Sequence, residues 1–328
     1  MKEKKPKISI ITAFYNCEQF LPISINSINA QIISDDIEVE YVLVDDNSTD
    51  GSYEIARNIV NNPHFNKSIE VRLMKTPENL GCGGARRFAI EQGTGDYFMF
   101  LDGDDYYMNR DFVSRAYHDI STNNADIVEY GLIFNDPMNG VKRPICPPNE
   151  IVLENSKDAV IKLFNGLLRF NVWTKIYTSY IINSFPYDTT REYEDIRTIP
   201  FWIQNAAKII VKPSLEINWR ANPKSIIRDD SIRTRLGTCQ AFADICEEFK
   251  NSHEIISAIY NRAMIDLTAV LNGKTSDDPG FNELSLLNTK MLSYVYPDQY
   301  KDLTYNIEDD LNNSQITVID GGKIESEN

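Results

Sequence analysis

Short apolar runs alternate with amphipathic stretches through the first hundred residues of this 328-residue chain. Four runs rich in β-branched or aromatic residues predict strands, at residues 8–13, 39–44, 69–74 and 97–101. Between them, apolar residues at helical spacing predict helices over 20–32 and 53–60, and a third helix is expected after Gly84. This β-α-β-α-β-α-β order predicts a largely parallel sheet with right-handed crossovers, flanked by helices.

The pattern changes after residue 111. Helices are predicted at 112–121, 156–165 and 196–207, and a strand at 126–134. Beyond about residue 235 the chain reads as helical and acidic. We therefore expect an α/β domain over residues 1–225 and a mostly helical, acidic extension over 226–328.

Polar and aromatic residues follow three of the predicted strands directly. They are Phe14-Tyr15-Asn16, Asp45-Asp46-Asn47-Ser48 and Asp102-Gly103-Asp104-Asp105. Parallel sheets bind ligands outside the carboxyl ends of their strands, so these segments should meet at one edge. Clustered carboxylates repel one another, and a divalent cation with phosphate oxygens as further ligands would relieve that repulsion. The last segment therefore predicts a metal–phosphate site, and its alternative interpretation is a solvated acidic turn.

Charge and cysteine content narrow the function classes. The formal net charge of −15 argues against broad nucleic-acid binding, which needs a basic surface. Five scattered cysteines without C-x-x-C spacing favour a reduced, cytoplasmic protein over a disulfide or zinc scaffold. A charged start without a signal-peptide pattern, and no apolar run of about 18–20 residues, predict a protein that is soluble or at most peripheral to a membrane.

The first 110 residues resemble a family 2 glycosyltransferase with the A-type nucleotide-sugar-binding fold. The matching segments are Ile8-Ser9-Ile10-Ile11-Thr12-Ala13-Phe14-Tyr15-Asn16, Val44-Asp45-Asp46-Asn47-Ser48-Thr49-Asp50-Gly51, Asn79-Leu80-Gly81 with Gly84-Ala85-Arg86, and Asp102-Gly103-Asp104-Asp105. Ala13 departs from the family, which often has proline there. Later segments are similar to members that build polysaccharides: Val172-Trp173-Thr174-Lys175-Ile176-Tyr177, Tyr193-Glu194-Asp195-Ile196, and Trp219-Arg220 before Lys224-Ser225-Ile226.

This resemblance implies a Rossmann-like, mixed and mostly parallel sheet, with a nucleotide-binding half over residues 1–110 and an acceptor half over 111–225. It also implies an inverting hexosyl- or N-acetylhexosaminyl-transferase. The expected donor is a nucleotide sugar carried by uridine diphosphate, and the expected acceptor is a glycan or lipid-linked saccharide in surface polysaccharide assembly. Such an enzyme would act in the cytoplasm or at the inner face of the membrane.

For the donor, the resemblance assigns Tyr15 and Asp45 or Asp46 to the nucleotide base. An aromatic face can stack on a base, and a carboxylate can accept the uracil imide hydrogen. The alternative for residues 45–50 is a helix-capping turn. The expected donor contacts also include Ala13, Gly81 and Arg86. The alternative for Gly81 and Arg86 is an ordinary helix N-terminus with Arg86 on the surface.

The D-x-D motif of the family corresponds to Asp102 and Asp104. The resemblance assigns one of these carboxylates to the ribose or to metal-bound water, and the other to a Mn²⁺ or Mg²⁺ ion that bridges the two phosphates. Asp104 and Asp102 are therefore both expected as metal ligands, and Asp102 is also expected as a donor contact.

On the acceptor side, the resemblance makes Asp195 the general base, with Glu194 as the second choice. Stabilisation of a helix N-terminus by these acids is the alternative interpretation. Trp173 and Lys175 are predicted to shape a substrate pocket, and a core position is the alternative for Trp173.

Two other functions stay open at the level of sequence. An apolar strand that ends in Asp-x-Asp also suits a phosphatase-like hydrolase, although that chemistry expects the motif on the first strand. A nucleotide-sugar-binding protein with a degenerate site is the alternative without catalysis. The sequence does not indicate the sugar, the linkage or the oligomeric state.

Overall fold

A computed structural model describes residues 4–190, 192–222, 232–271 and 281–296. The chain divides into two compact units, residues 1–225 and 226–328. In the second unit the described residues form three helices, α8 (Ile232–Glu248), α9 (His253–Leu271) and α10 (Phe281–Val295). The segment Lys224-Ser225-Ile226 lies outside the described residues.

The first unit is a mixed α/β sheet flanked by helices, as predicted. Its strands are β1 (Lys7–Phe14), β2 (Glu38–Asp45), β3 (Ile69–Lys75), β4 (Tyr97–Phe100), β5 (Tyr106–Tyr107), β6 (Ile127–Asp136), β7 (Val141–Ile145), β8 (Ile151–Leu153), β9 (Lys175–Thr178) and β10 (Ile209–Arg220). Its helices are α1 (Leu21–Asn29), α2 (Ser52–Val60), α3 (Gly81–Gln92), α4 (Phe112–Thr122), α5 (Ser156–Phe164), α6 (Ser179–Ser184) and α7 (Glu194–Asn205).

The strand order positions a ligand crevice. The sheet runs β3-β2-β1-β4-β9-β6-β10-β5, with β7 paired to β6 and β8 to β10. Strands β1 to β4 are parallel, whereas β9 runs antiparallel to both β4 and β6. The chain leaves β1 toward β2 and β3 on one side and returns to β4 on the other. The carboxyl ends of β1 and β4 therefore flank the switch point, where α/β sheets bind ligands.

Burial explains why the predicted strands could be recognised from the sequence. In β1 and β2 nearly every side chain is buried, which is the pattern of parallel strands covered on both faces. Two of the strands that were not predicted lack this pattern. Strand β7 is largely exposed, and β10 contains Pro213 and breaks its pairing with β6 between Val211 and Leu215. Tertiary pairing, rather than a local apolar run, makes these segments extended.

Three predicted boundaries were wrong. Helix α1 ends at Asn29 and not at residue 32, because the Ile32 amide donates to the Arg110 carbonyl at 2.6 Å. Helix α3 begins at Gly81, so the glycines from 81 to 84 form its first turn instead of a loop. Helix α7 begins at Glu194, two residues before the prediction, which places both predicted acids in its first turn.

The amino ends of the strands are joined by a buried carboxylate, Glu40. It accepts hydrogen bonds from the Ser9 hydroxyl at 2.5 Å and the Thr94 amide at 2.5 Å. It also pairs with Lys7 at 2.9 Å and Arg72 at 2.5 Å. Burial acts to raise the pKa of Glu40, but these hydrogen bonds outweigh it and lower the pKa from 4.5 to about 2.

Glu40→Gln should lower the free energy of unfolding by about 2 kcal/mol at neutral pH. The glutamine amide cannot form the charge-assisted hydrogen bonds, and its NH₂ group would face the donor groups that surround Glu40. The carboxylate stabilises the fold fully above pH 4.5, and this contribution disappears as the pH falls toward 2. The difference between wild type and variant, measured by urea unfolding, should shrink over that interval. Glu70→Gln is the control, since Glu70 pairs with the same lysine but its side chain is 62% exposed. Equal losses for both variants would contradict this role of Glu40.

Candidate active site

The loops after β1 and β2 form one side of the crevice. Tyr15 follows β1 directly and is 47% exposed, so one aromatic side chain is available at the edge. The next residue, Asn16, has a left-handed backbone (φ 46°), which asparagine tolerates. Its side-chain oxygen accepts from the Thr49 backbone amide at 2.8 Å, and its backbone amide donates to the Ser48 hydroxyl at 3.0 Å. These bonds fix the loop that carries Tyr15 against the loop after β2.

Asp45 and Asp46 are both buried, and their carboxylates have different partners. Asp45 accepts from the Ser48 amide at 3.1 Å, within the loop before α2, and lies 3.5 Å from the Lys75 ammonium. Asp46 accepts from the Leu80 amide at 2.8 Å and the Gly81 amide at 2.9 Å. Asp46 therefore binds the start of α3. The assignment of either carboxylate to a nucleotide base stays a prediction.

Ala13 and Gly81 lie near these carboxylates. Ala13 sits on β1 opposite Val44 of β2, one position before the end of the strand. Gly81 has φ 77°, a conformation that favours glycine, and this lets its amide turn toward Asp46. Both predicted residues are thus at the carboxyl edge of the sheet.

Three carboxylates cluster in the loop after β4. Asp102, Asp104 and Asp105 each offer an oxygen within 4.8 Å of the others. Asp105 is buried and accepts from the Arg220 amide at 2.8 Å, and burial together with the neighbouring carboxylates raises its pKa well above the usual range. Burial, and then Asp102, also raise the pKa of Asp104. This set of crowded, hard oxygen donors suits a divalent cation such as Mg²⁺ or Mn²⁺, with Asp102 and Asp104 less buried than Asp105.

The carboxylate loop is fixed against the ends of strands β1 and β10. A Cβ at Gly103 would lie 2.9 Å from the Phe14 Cβ and 3.0 Å from the Cys17 sulfur, so only glycine lets the loop approach the end of β1 this closely. On the other side, the Arg220 guanidinium donates to the carbonyls of Asp104 and Phe20. Asn222 donates to the Asp104 carboxylate at 3.1 Å. No role was predicted for Arg220 or Asn222, because their partners lie more than a hundred residues away in sequence.

Arg86 is buried and connects this loop to helix α7. One of its nitrogens donates to Asp102 at 2.7 Å, and the other donates to Glu194 and to the Tyr187 hydroxyl at 3.1 Å. Its distance to an Asp195 oxygen is 3.6 Å. The alternative of a surface arginine is therefore wrong. A single guanidinium joins the predicted metal site to the predicted catalytic acids.

The acid pair lies in the first turn of α7. Burial raises the pKa of both Glu194 and Asp195, and the positive charge of Arg86 opposes this rise. The carboxylates of Asp102, Glu194 and Asp195 share the one positive charge of Arg86. The negative charge of Asp195, the most distant of the three, is therefore only partly neutralised. A carboxylate with a raised pKa in a cleft is suited to accept a proton.

Two groups that bind Asp195 were not predicted. The Tyr187 hydroxyl donates to one carboxylate oxygen at 2.5 Å, and the Val172 amide donates to the other at 3.3 Å. Neither residue belongs to a recognisable spacing with the acid pair. Tyr193, the residue directly before the acid pair, has φ 62°, which is a strained backbone conformation for tyrosine.

Trp173 and Lys175 are both buried. Trp173 is 4% exposed and packs near the Trp219 ring, which agrees with the core alternative. The Lys175 side chain has no exposed surface, and its ammonium contacts Glu129 at 3.1 Å and the Arg169 carbonyl at 2.6 Å. The predicted role of both residues in shaping a substrate pocket stays a prediction. Lys175 anchors the loop that carries Val172.

Comparison with known proteins identifies the family. The model of glycosyl transferase family 2 matches residues 9–178, just over half of the chain. The chain therefore belongs to glycosyl transferase family 2. The match ends at the last residue of β9 and so contains the crevice, the carboxylate loop and Arg86.

Curated relatives match over shorter stretches. An uncharacterised glycosyltransferase of Haemophilus influenzae is 41% identical over 104 residues, which cover 32% of this chain and 38% of that protein. The Escherichia coli protein WfaP, named as a UDP-Glc:alpha-D-GlcNAc-diphosphoundecaprenol beta-1,3-glucosyltransferase, is 30% identical over 115 residues, or 35% of this chain and 41% of the relative. The matched region thus spans about two fifths of the length of these relatives.

Solved structures share the fold over nearly the whole chain. Staphylococcus aureus TarS, residues 1–349, has a TM-score of 0.67 at 18% identity, with 96% of this chain and 95% of that chain covered. A mannosyltransferase of Pyrobaculum calidifontis, in complex with GDP-Man and Mn²⁺, has a TM-score of 0.53 at 15% identity, covering 91% and 88%. These likenesses confirm the A-type glycosyltransferase fold. They give no support to the phosphatase-like alternative.

No helix among the residues that the structure describes combines the length and apolar character needed to cross a membrane.

Gly83 allows α3 to approach the segment before α7. A Cβ at this position would lie 2.3 Å from the Thr190 carbonyl oxygen and 2.6 Å from that of Asp188. Gly83→Ala should therefore displace that segment, with Tyr187, and lower the free energy of unfolding by about 2 kcal/mol in urea titrations. Gly51→Ala is the control, because its Cβ would meet chiefly the flexible end of Glu18. Equal stability of wild type and Gly83→Ala would contradict the close packing.

Proposed function

We propose that this protein is an inverting glycosyltransferase that moves a sugar from a UDP-linked donor to a saccharide acceptor. The observation that carries the proposal is the contact of Arg86 with both Asp102 and Glu194. Through it, the predicted donor site and the predicted base lie together at the switch point of the sheet. Neither a donor site nor an acid pair alone would distinguish transfer from nucleotide binding.

The donor would lie across the carboxyl ends of β1 and β4. Tyr15 offers an exposed ring for stacking on the base, and the Asp45–Asp46 pair lies under the same edge. Uridine as the base is supported by two relatives: TarS has been solved with UDP-GlcNAc, and WfaP is named for UDP-Glc. The mannosyltransferase with GDP-Man shows that the fold also accommodates guanosine.

Asp102 and Asp104 would hold the divalent cation. When bound, Mn²⁺ or Mg²⁺ neutralises the charge that develops on a departing diphosphate. The chain contributes the geometry of this site through Arg220, Asn222 and Gly103, which fix the loop on both sides. Asp105 is satisfied by a backbone amide and belongs to that support.

Asp195 would act as the general base. Glu194 is the closer partner of Arg86, while Asp195 lies 3.6 Å from the guanidinium and accepts hydrogen bonds from the Tyr187 hydroxyl and the Val172 amide. As the acceptor oxygen attacks the anomeric carbon, its proton passes to Asp195. The bond from that carbon to the diphosphate oxygen breaks, and the electron pair leaves with the diphosphate. Attack opposite the leaving group inverts the configuration.

We infer a glycan or lipid-linked saccharide as the acceptor, at the cytoplasmic face of the membrane. The names of relatives support this class, since WfaP acts on a diphosphoundecaprenol-linked sugar. Other relatives carry Eps names from Bacillus subtilis. A nucleotide-sugar donor and free cysteines among the described residues favour the cytoplasm.

Two variants separate binding from transfer. With Mn²⁺ present, calorimetry should detect UDP binding by the wild type, and EDTA or Asp104→Ala should abolish it, because the metal site loses a ligand. Asp195→Asn should retain UDP binding but lose at least about 100-fold in sugar transfer or donor hydrolysis, screened over several nucleotide sugars. Asp111→Asn is the control, since its side chain is 59% exposed.

The outcomes distinguish the alternatives. Absence of metal-dependent binding to any nucleoside diphosphate would contradict the transferase proposal. Binding without turnover in the wild type would favour a degenerate binding protein. Full turnover in Asp195→Asn would show that the base is assigned wrongly.

A further inference from the structure

We propose that Tyr187 is a positioning residue for Asp195: its hydroxyl orients the carboxylate and favours its ionised form. This inference rests on the proposed role of Asp195 as the base. Nothing in the spacing of the sequence distinguishes Tyr187, and the family resemblance assigns it no function. Its importance comes from the two side chains, Arg86 and Asp195, that meet at its hydroxyl.

The direction of the hydrogen bonds at Tyr187 is determined by chemistry. The hydroxyl lies 3.1 Å from an Arg86 nitrogen and 2.5 Å from an Asp195 oxygen. A guanidinium can only donate, so the hydroxyl oxygen accepts from Arg86. The single hydroxyl proton is then donated to Asp195, which requires an unprotonated oxygen at that position. The relay Arg86–Tyr187–Asp195 thus stabilises the carboxylate as an acceptor.

Tyr187 is itself held firmly. It is 2% exposed, and its ring packs against the Trp202 indole at 5.6 Å between centroids. The amide of the following residue, Asp188, donates to the Thr198 hydroxyl of α7 at 3.0 Å. The tyrosine is therefore fixed to the same helix that carries Asp195, and its hydroxyl has little freedom to follow a rotating carboxylate.

Both oxygens of Asp195 are constrained as a result. One accepts from Tyr187 and the other from the Val172 amide, so rotation of the carboxylate would break a bond. Hydrogen bonds to the ionised form lower the pKa of Asp195, which opposes the effect of burial.

Several other charged or titratable groups act on the same carboxylate. They are Arg86 and Cys82 of α3, Glu194 of α7, Asp102 after β4, and Lys175 and Tyr177 of β9. Tyr187 is the one that donates a side-chain hydrogen bond to Asp195 among the described residues.

Tyr187→Phe removes the hydroxyl and keeps the ring. We expect kcat to fall about 10- to 100-fold, since a hydrogen bond to a charged group is lost, while the Kd for UDP with Mn²⁺ stays unchanged. The acidic limb of the kcat–pH profile should move to higher pH, because the ionised form of Asp195 loses a donor. Tyr130→Phe is the matched control: it removes a buried hydroxyl that donates to Asp119 at 3.0 Å, outside the site.

A double variant separates positioning from general structural damage. In the Asp195→Asn background, Tyr187→Phe should cause no further loss of turnover, because the two residues act as one unit. An unchanged kcat and pH profile in Tyr187→Phe would overturn the inference. An equal loss in both backgrounds would also overturn it.

Failure of the proposed function would be recognised separately, as a lack of turnover in the wild type itself. The inference can then still be tested by ¹³C NMR of labelled aspartate carboxylates, with the Asp195 resonance assigned from Asp195→Asn. The titration midpoint of Asp195 should rise in Tyr187→Phe and stay constant in Tyr130→Phe. An unchanged midpoint in Tyr187→Phe would contradict the role of the hydroxyl.

Discussion

The site depends on one buried guanidinium, that of Arg86, which is shared by carboxylates from two distant parts of the chain. Arg86 contacts Asp102 after β4 and Glu194 at the start of α7, residues that are 16 and 108 positions away. Removing a charge from water costs several kcal/mol, and only good geometry to opposite charges compensates for this. The guanidinium therefore stabilises the arrangement only when the carboxylate loop, α3 and α7 come together.

Close backbone approaches make this convergence possible. Gly103 lets the carboxylate loop contact the end of β1, and Gly83 lets α3 contact the segment before α7. A side chain at either position would push apart the elements that Arg86 joins. Buried Lys175 also contributes to this arrangement. It anchors the loop whose Val172 amide donates to Asp195. The geometry of the candidate base is thus set by groups that need not touch a substrate.

The sequence allowed the fold of the first 110 residues to be predicted well, for a physical reason. Strands β1 to β4 are buried on both faces and therefore appear as apolar runs, and the polar residues that follow them mark the edge of the sheet. Asp102, Asp104 and the acid pair could be proposed as site residues because they belong to local motifs. Tyr187, Arg220 and the burial of Lys175 were not found, since their roles arise from contacts across long separations. Strand β10 was missed for a similar reason, as its pairing with β6 overrides an interrupted local pattern.

The most direct test of the shared guanidinium is Arg86→Lys, measured by donor turnover and by Mn²⁺-dependent UDP binding in the same preparation. Lysine keeps the charge but lacks the planar fork, so it cannot contact Asp102 and Glu194 together. Turnover should fall about 100-fold or more, because charge-assisted bonds to two carboxylates are not both retained, and UDP affinity should fall with it. Arg57→Lys on α2, with a side chain 52% exposed, should change neither. Unchanged turnover and unchanged UDP affinity in Arg86→Lys would contradict the view that this one contact unites the two sides of the site.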